Sequence, residues 1–200
     1  MAKDRLSTGK TNPRGIPEAI FIKSIEDFLN PKTCTSDDVN NFLKELQMRI
    51  QQYKFMEESK NSTLKGLETK IPDVSKTLEF CKFLKEKHDK LVENADSAEE
   101  DDKKLEVNYQ LNDTVYSKAE IDVKDASSVR LWLGANLMVE YPIDEAIAML
   151  SKRLEDTKKN KQATLEDLEY LRSNITTMEV NTARVYNWDV QRRRSEKSEK

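Results

Sequence analysis

Along the 200-residue chain the spacing of apolar positions changes period twice. From Ser36 onward they recur at Val39, Phe42, Leu46 and Tyr53. They then advance in steps of three and four through Leu64, Leu67, Ile71, Val74, Leu78 and Cys81, which is heptad spacing. Leu84, His88 and Leu91 carry the stripe on after a phase slip. Between residues 105 and 141 the period drops to two. Leu105, Val107, Tyr109 and Leu111 alternate with polar residues, Asn112-Asp113 marks a turn, and Thr114 to Val123 reads as the returning strand, with Val115 near its start. Val129 to Leu133, a turn near Gly134-Ala135-Asn136, and Leu137 to Tyr141 predict a second hairpin. Helical spacing then returns at Ile143, Ile147, Leu150 and Leu154. It weakens at Thr157 and Lys161 and resumes at Leu165, Leu168, Leu171, Ile175, Met178 and Val185.

Local chemistry sets the boundaries. Ser36-Asp37-Asp38 offers an N-cap followed by acids that suit the positive end of a helix. Pro72 removes a helix hydrogen bond, but the apolar phase is the same on both sides, which predicts a kinked, continuous helix. Pro142 fits the first turn of the second helix, where its missing N–H costs nothing. The expected organisation is a leader over 1–35, ordered in part at most, and helix 1 over 36–94. An acidic loop follows over 95–104, then two β-hairpins over 105–141, helix 2 over 142–194 and a disordered tail over 195–200. In the leader, Ile20, Phe21, Ile25, Phe28 and Leu29 fit one side of a short helix. The fold class is mainly α with a small β part: a long antiparallel coiled-coil hairpin whose helices are joined by two β-hairpins that form part of an oligomeric β-barrel.

Composition narrows the function. Charged residues make up 36% and hydrophobic residues 36%, with 4 Gly and 5 Pro; ordinary globular domains carry about 25% charged and 45–50% apolar residues. Long solvated helices fit this balance. No run of about 18 apolar residues exists, so no membrane span is expected. A net charge of -3, with basic and acidic residues interleaved, argues against nucleic acid as a partner. The single histidine, the absence of a Gly-rich phosphate loop and the wide separation of Cys34 and Cys81 argue against an enzyme, a cofactor or a metal site. The cysteines read as reduced thiols of the cytosol or nucleus.

What remains is surface. Four short strands bury too little against one helix pair, and their edges invite further strands. Leu105, Val107, Tyr109, Leu111, Val115, Leu131, Trp132, Leu133, Leu137 and Val139 are therefore expected to meet other subunits. Where helix 1 begins and helix 2 ends, Phe42, Leu43, Tyr53, Phe55, Met56, Val185, Tyr186 and Trp188 exceed what a two-helix seam uses, and such apolar patches often bind partners. The competing reading is that the leader, with Phe21, Ile22 and Phe28, folds back and covers them.

Four stretches, "GIPEAIFI", "YKFMEESK", "LWLGANLMVEYPIDEA" and "TTMEVNTARVYNWDVQRR", resemble prefoldin, the hexameric co-chaperone. The likeness runs from about Gly15 to Arg194, and two hairpins rather than one point to its α-class. The resemblance implies a heterohexamer with one further α-class and four β-class subunits, whose hairpins join into a β-barrel platform. It also implies ATP-independent holding of unfolded actin, tubulin and other clients at the coiled-coil ends, and delivery to the cytosolic group II chaperonin. It implies a cytoplasmic protein, with the nucleus as an alternative. On periodicity alone, a structural coiled-coil adaptor in a cytoskeletal or tethering complex competes; an adaptor has no evident need of two hairpins between matched helices.

Overall fold

The computed structural model describes residues 5–30, 33–93 and 104–198. Two long helices flank a β segment: α1 spans Ser36–Glu93 and α2 spans Ile143–Ser198. Among the described residues there are also three two-stranded antiparallel sheets. They pair β1 (Ser7–Thr11) with β2 (Pro17–Ala19), β3 (Lys104–Asn112) with β4 (Val115–Asp122), and β5 (Ser128–Gly134) with β6 (Leu137–Pro142). The chain divides into two compact units, one of residues 1–66 and 161–200, the other of 67–160.

In the first unit α1 opens with a reciprocal capping box. The Asp38 N–H donates to Thr35 Oγ1 (3.2 Å), while Asp38 Oδ2 accepts from the Thr35 N–H (2.9 Å) and hydroxyl (2.7 Å). The N-cap is thus Thr35, one residue before the expected Ser36. Backbone and hydroxyl donors from Thr35 hold the Asp38 carboxyl below its usual pKa range. The helix segments run antiparallel: rising numbers on α1 meet falling numbers on α2 in Lys54–Glu179 (3.1 Å), Glu57–Arg172 (3.0 Å) and Lys60–Asp167 (2.9 Å).

The leader differs most from expectation. It forms the β1–β2 hairpin and lies on the helices. Asn12-Pro13-Arg14-Gly15 makes the turn, closed by the Gly15 N–H donating to Asn12 O (3.0 Å). Pro at the second position and Gly at the fourth suit such a turn. Gly15 sits at φ +85°, where a side chain is disfavoured. Residues 20–30 carry no full helix, only a turn in which the Phe28 and Leu29 N–H groups both donate to Ile25 O. Leu6, Ile16, Ala19, Ile22, Ile25 and Leu29 are buried against Val39, Phe42, Leu46 and Tyr53 of α1 and Leu171, Ile175, Met178 and Val185 of α2. Burial of that many apolar side chains supplies what ordering the leader costs.

In the second unit α1 continues through Pro72 without a break. Leu78, Cys81 and Leu150 form one small core, and Leu84, Ala126 and Ile143 another; Val129 packs on both. The Ile143 N–H, the first of α2, donates to Ser127 O (3.0 Å). Pro142 closes β6 immediately before the helix rather than lying within its first turn. The expected acidic loop lies outside the described residues except for Lys104, which opens β3. The expected disordered tail is helical through Ser198.

Candidate functional site

Two surfaces carry the apolar residues singled out from the sequence, one in each unit.

In the second unit the bases of the two hairpins are partly buried and their turn-proximal ends are not. Leu105 pairs with Ile121 and Val107 with Ala119, and all four are partly covered. Further along β3, Tyr109 and Leu111 are 61% and 62% exposed, and Val115, which pairs with Asn112 at the start of β4, is exposed too. The second hairpin repeats the pattern. Leu131 and Val139 pair and are partly covered, while Trp132, its partner Met138, Leu133 and Leu137 stand open. Each hairpin shifts register one step before its turn, between Gln110 and Asn112 and between Trp132 and Gly134. Ala135 and Asn136 take φ of 50° and 59°, the backbone of the tight turn that matches strand twist. Leu131, Trp132, Leu133 and Met138 also line a cleft of about 450 Å³ against Val74 and Leu150. Every strand here keeps one edge unpaired among the described residues.

In the first unit the expected exposed patch is mostly a core. Phe42, Tyr53 and Val185 are buried, and Leu43, Met56 and Trp188 pack against them at the margin. This corrects the reading of those residues as client-facing: the leader covers them. Only Phe55, 75% exposed, and Tyr186, 60% exposed, meet solvent fully.

Besides its buried apolar side chains, the leader offers its backbone to polar groups of the helices. Asn174 Oδ1 accepts from the Ala19 N–H (2.7 Å). Asn181 Oδ1 accepts from the Ile22 N–H (3.0 Å), and its Nδ2 donates to Ile20 O (2.7 Å). Arg184 donates to Lys23 O (3.0 Å), Tyr53 Oη to Pro17 O (3.0 Å) and Arg192 to Cys34 O (2.6 Å). Asp167 anchors the hairpin turn, accepting from Arg14 Nε (2.5 Å) and Asn12 Nδ2 (2.7 Å), with Lys60 Nζ at 2.9 Å from its other oxygen. Asp167, Asn174 and Asn181 recur every seven residues, so they fall on one face of α2 and all three are buried. Sequence reasoning missed this ladder. Its signal was polar residues at heptad spacing within an apolar stripe.

Electrostatics keeps each partner in its role. Burial pushes the Asp167 carboxyl up, but hydrogen bonds and charge from Lys60 and Arg14 outweigh it and hold the group ionised below the usual range. Burial raises Tyr53, so its hydroxyl stays a donor to the leader. Above the ladder, the Arg192 guanidinium lies 5.7 Å from the Trp188 ring centroid while Asp189 pairs with Arg192 (3.0 Å) and Arg193 (2.6 Å). The aromatic end of α2 is thus one wall of the leader's seat.

Comparison with known proteins bears on both surfaces. The family model described as prefoldin subunit matches residues 53–188. Prefoldin subunit 3 of Saccharomyces cerevisiae is 46% identical over 185 residues, covering 91% of this chain and 87% of that one. Probable prefoldin subunit 3 of Schizosaccharomyces pombe is 43% identical, covering 94% and 98%. Prefoldin subunit 3 of Homo sapiens is 42% identical, covering 93% and 87%. From the helix–hairpin–hairpin–helix order and these matches, the chain belongs to the prefoldin subunit family.

Proposed function

We propose that this chain is one subunit of a heterohexameric prefoldin co-chaperone, joined to one further α-class and four β-class subunits through its hairpins. The observation that carries the reading is the pair of two-stranded sheets whose outer ends expose Tyr109, Leu111, Trp132 and Leu137 beside unpaired edges. A two-stranded hairpin is marginal alone, and strands from neighbours would both pair its edges and cover its side chains. The assembly holds unfolded actin, tubulin and related chains without nucleotide and passes them to the group II chaperonin in the cytoplasm. Many weak contacts from several subunits add by effective concentration, so no single one need bind tightly. In the first unit, Phe55 and Tyr186 are the aromatic residues most available to such chains.

Native mass spectrometry of the complex formed by a gently tagged copy tests this. A hexamer of six different chains with this one present once is expected. A stable homodimer, or a complex with large filament proteins, would overturn it.

A further inference from the structure

We infer that the face of α2 running from Asp167 to Trp188, with the α1 residues opposite it, is a groove for an extended apolar polypeptide. In this inference the leader is an internal occupant that a non-native client segment displaces. The inference rests on the client-holding reading above and gives it a site and a ligand chemistry.

Three observations carry it. First, helix side chains reach backbone atoms of the leader: the N–H groups of Ala19 and Ile22 and the carbonyls of Pro17, Ile20, Lys23 and Cys34. Contacts to backbone are blind to sequence, as in strand-addition modes of peptide recognition. Second, Asn181 presents a donor and an acceptor to residues 20–22 just after β2, and Asn174 repeats the acceptor one heptad earlier on Ala19. The ladder therefore tracks a chain lying along the helix. Third, the pockets beneath are apolar and take Ile16, Ala19 and Ile22 along the extended part of the leader, with Ile25 and Leu29 following from a turn. Backbone-reading polar groups between apolar pockets fit an extended segment with regularly spaced aliphatic residues, the kind of segment an unfolded chain exposes and a folded one hides.

The leader then acts as a competitor in cis. It covers Phe42, Tyr53 and Val185 while no client is present, which keeps a large apolar surface from self-association. The apparent affinity for a client falls by the fraction of molecules whose groove is open.

The test uses the full chain assembled with its partner subunits and fluorescently labelled, urea-unfolded actin diluted into native buffer. Anisotropy reports client binding, and hydrogen exchange with mass spectrometry reports the leader amides of Ala19 and Ile22. At saturating client, protection of those amides should fall at least about tenfold. Ile22→Asp, which weakens the leader and leaves both helices untouched, should tighten client binding by at least about tenfold, in step with the lost protection. Client binding with undiminished leader protection and no gain in Ile22→Asp overturns the groove and leaves the co-chaperone reading intact. Absence of client binding in wild type and variant overturns both.

Discussion

Beneath the leader of the first unit and at the hairpin ends of the second, the chain carries the same kind of cargo, large apolar side chains in excess of what a two-helix seam uses. In the first unit Phe42, Tyr53 and Val185 are covered by residues 5–30 of the same chain, and the leader's backbone groups find partners in Asn174, Asn181, Tyr53 and Arg184. In the second unit Tyr109, Leu111, Trp132 and Leu137 remain in solvent, and the strand edges beside them remain open. Apolar surface alone does not distinguish an interface from a core. The distinction comes from whether the chain supplies a segment with matching apolar spacing and a set of polar groups able to satisfy that segment's backbone.

The contrast can be broken from either side. The largest effect should come from Trp132→Asp combined with Leu137→Asp. Charges in place of two open apolar groups would abolish assembly, a loss of more than about 2 kcal/mol per anchor, while helix content by circular dichroism stays unchanged. Next is Ile22→Ala, expected to cost about 2–5 kcal/mol of leader docking, read as lost amide protection at residues 16–25 without change in assembly. Asn181→Ala strips partners from a buried N–H and a carbonyl and should cost about 1–3 kcal/mol by denaturant melting.

Acid should loosen the leader through Asp167. Its folded pKa lies below the ordinary value of 3.8, so its contribution is fully present above that value and is lost as pH falls through the lowered folded pKa. A leader that stays protected at pH 5 and loosens only below about 4 is the expected titration; loosening between pH 5 and 7 would point to another group. Smallest of all, Phe55→Ser should change stability by under about 0.5 kcal/mol, in contrast to Tyr53→Ser two residues away.

Much of the architecture was legible because its signals are local. Heptad steps fixed α1 through Pro72, and alternation with Asn112-Asp113 and Gly134-Ala135-Asn136 placed both hairpins. Where the seam turns polar, the reading slipped. Leu165 fits the apolar spacing but is 41% exposed, because Thr164 and Asp167 occupy the buried positions instead. The leader was harder still. Ile16, Ala19, Ile22 and Ile25 recur every three residues, which resembles a helix. Instead the Ala19 and Ile22 N–H groups are held by Asn174 and Asn181, more than 150 positions away, and no local pattern announces that. Only the Asn12-Pro13-Arg14-Gly15 turn offered a nearby hint. The open ends of the hairpins at Tyr109, Leu111, Trp132 and Leu137 are legible from alternation alone, which needs no distant partner to be seen, whereas the partial cover over Leu105, Val107, Leu131 and Val139 is not.

Amide hydrogen exchange, compared between the isolated chain at a concentration where it is monomeric and the assembled complex, tests the central contrast most directly. The account predicts protection at Ala19 and Ile22 in both states, and protection of the outer ends of the hairpins around Tyr109–Tyr116 and Trp132–Met138 only after assembly. Leader amides that exchange freely in the isolated chain, or hairpin ends already protected there, would contradict it.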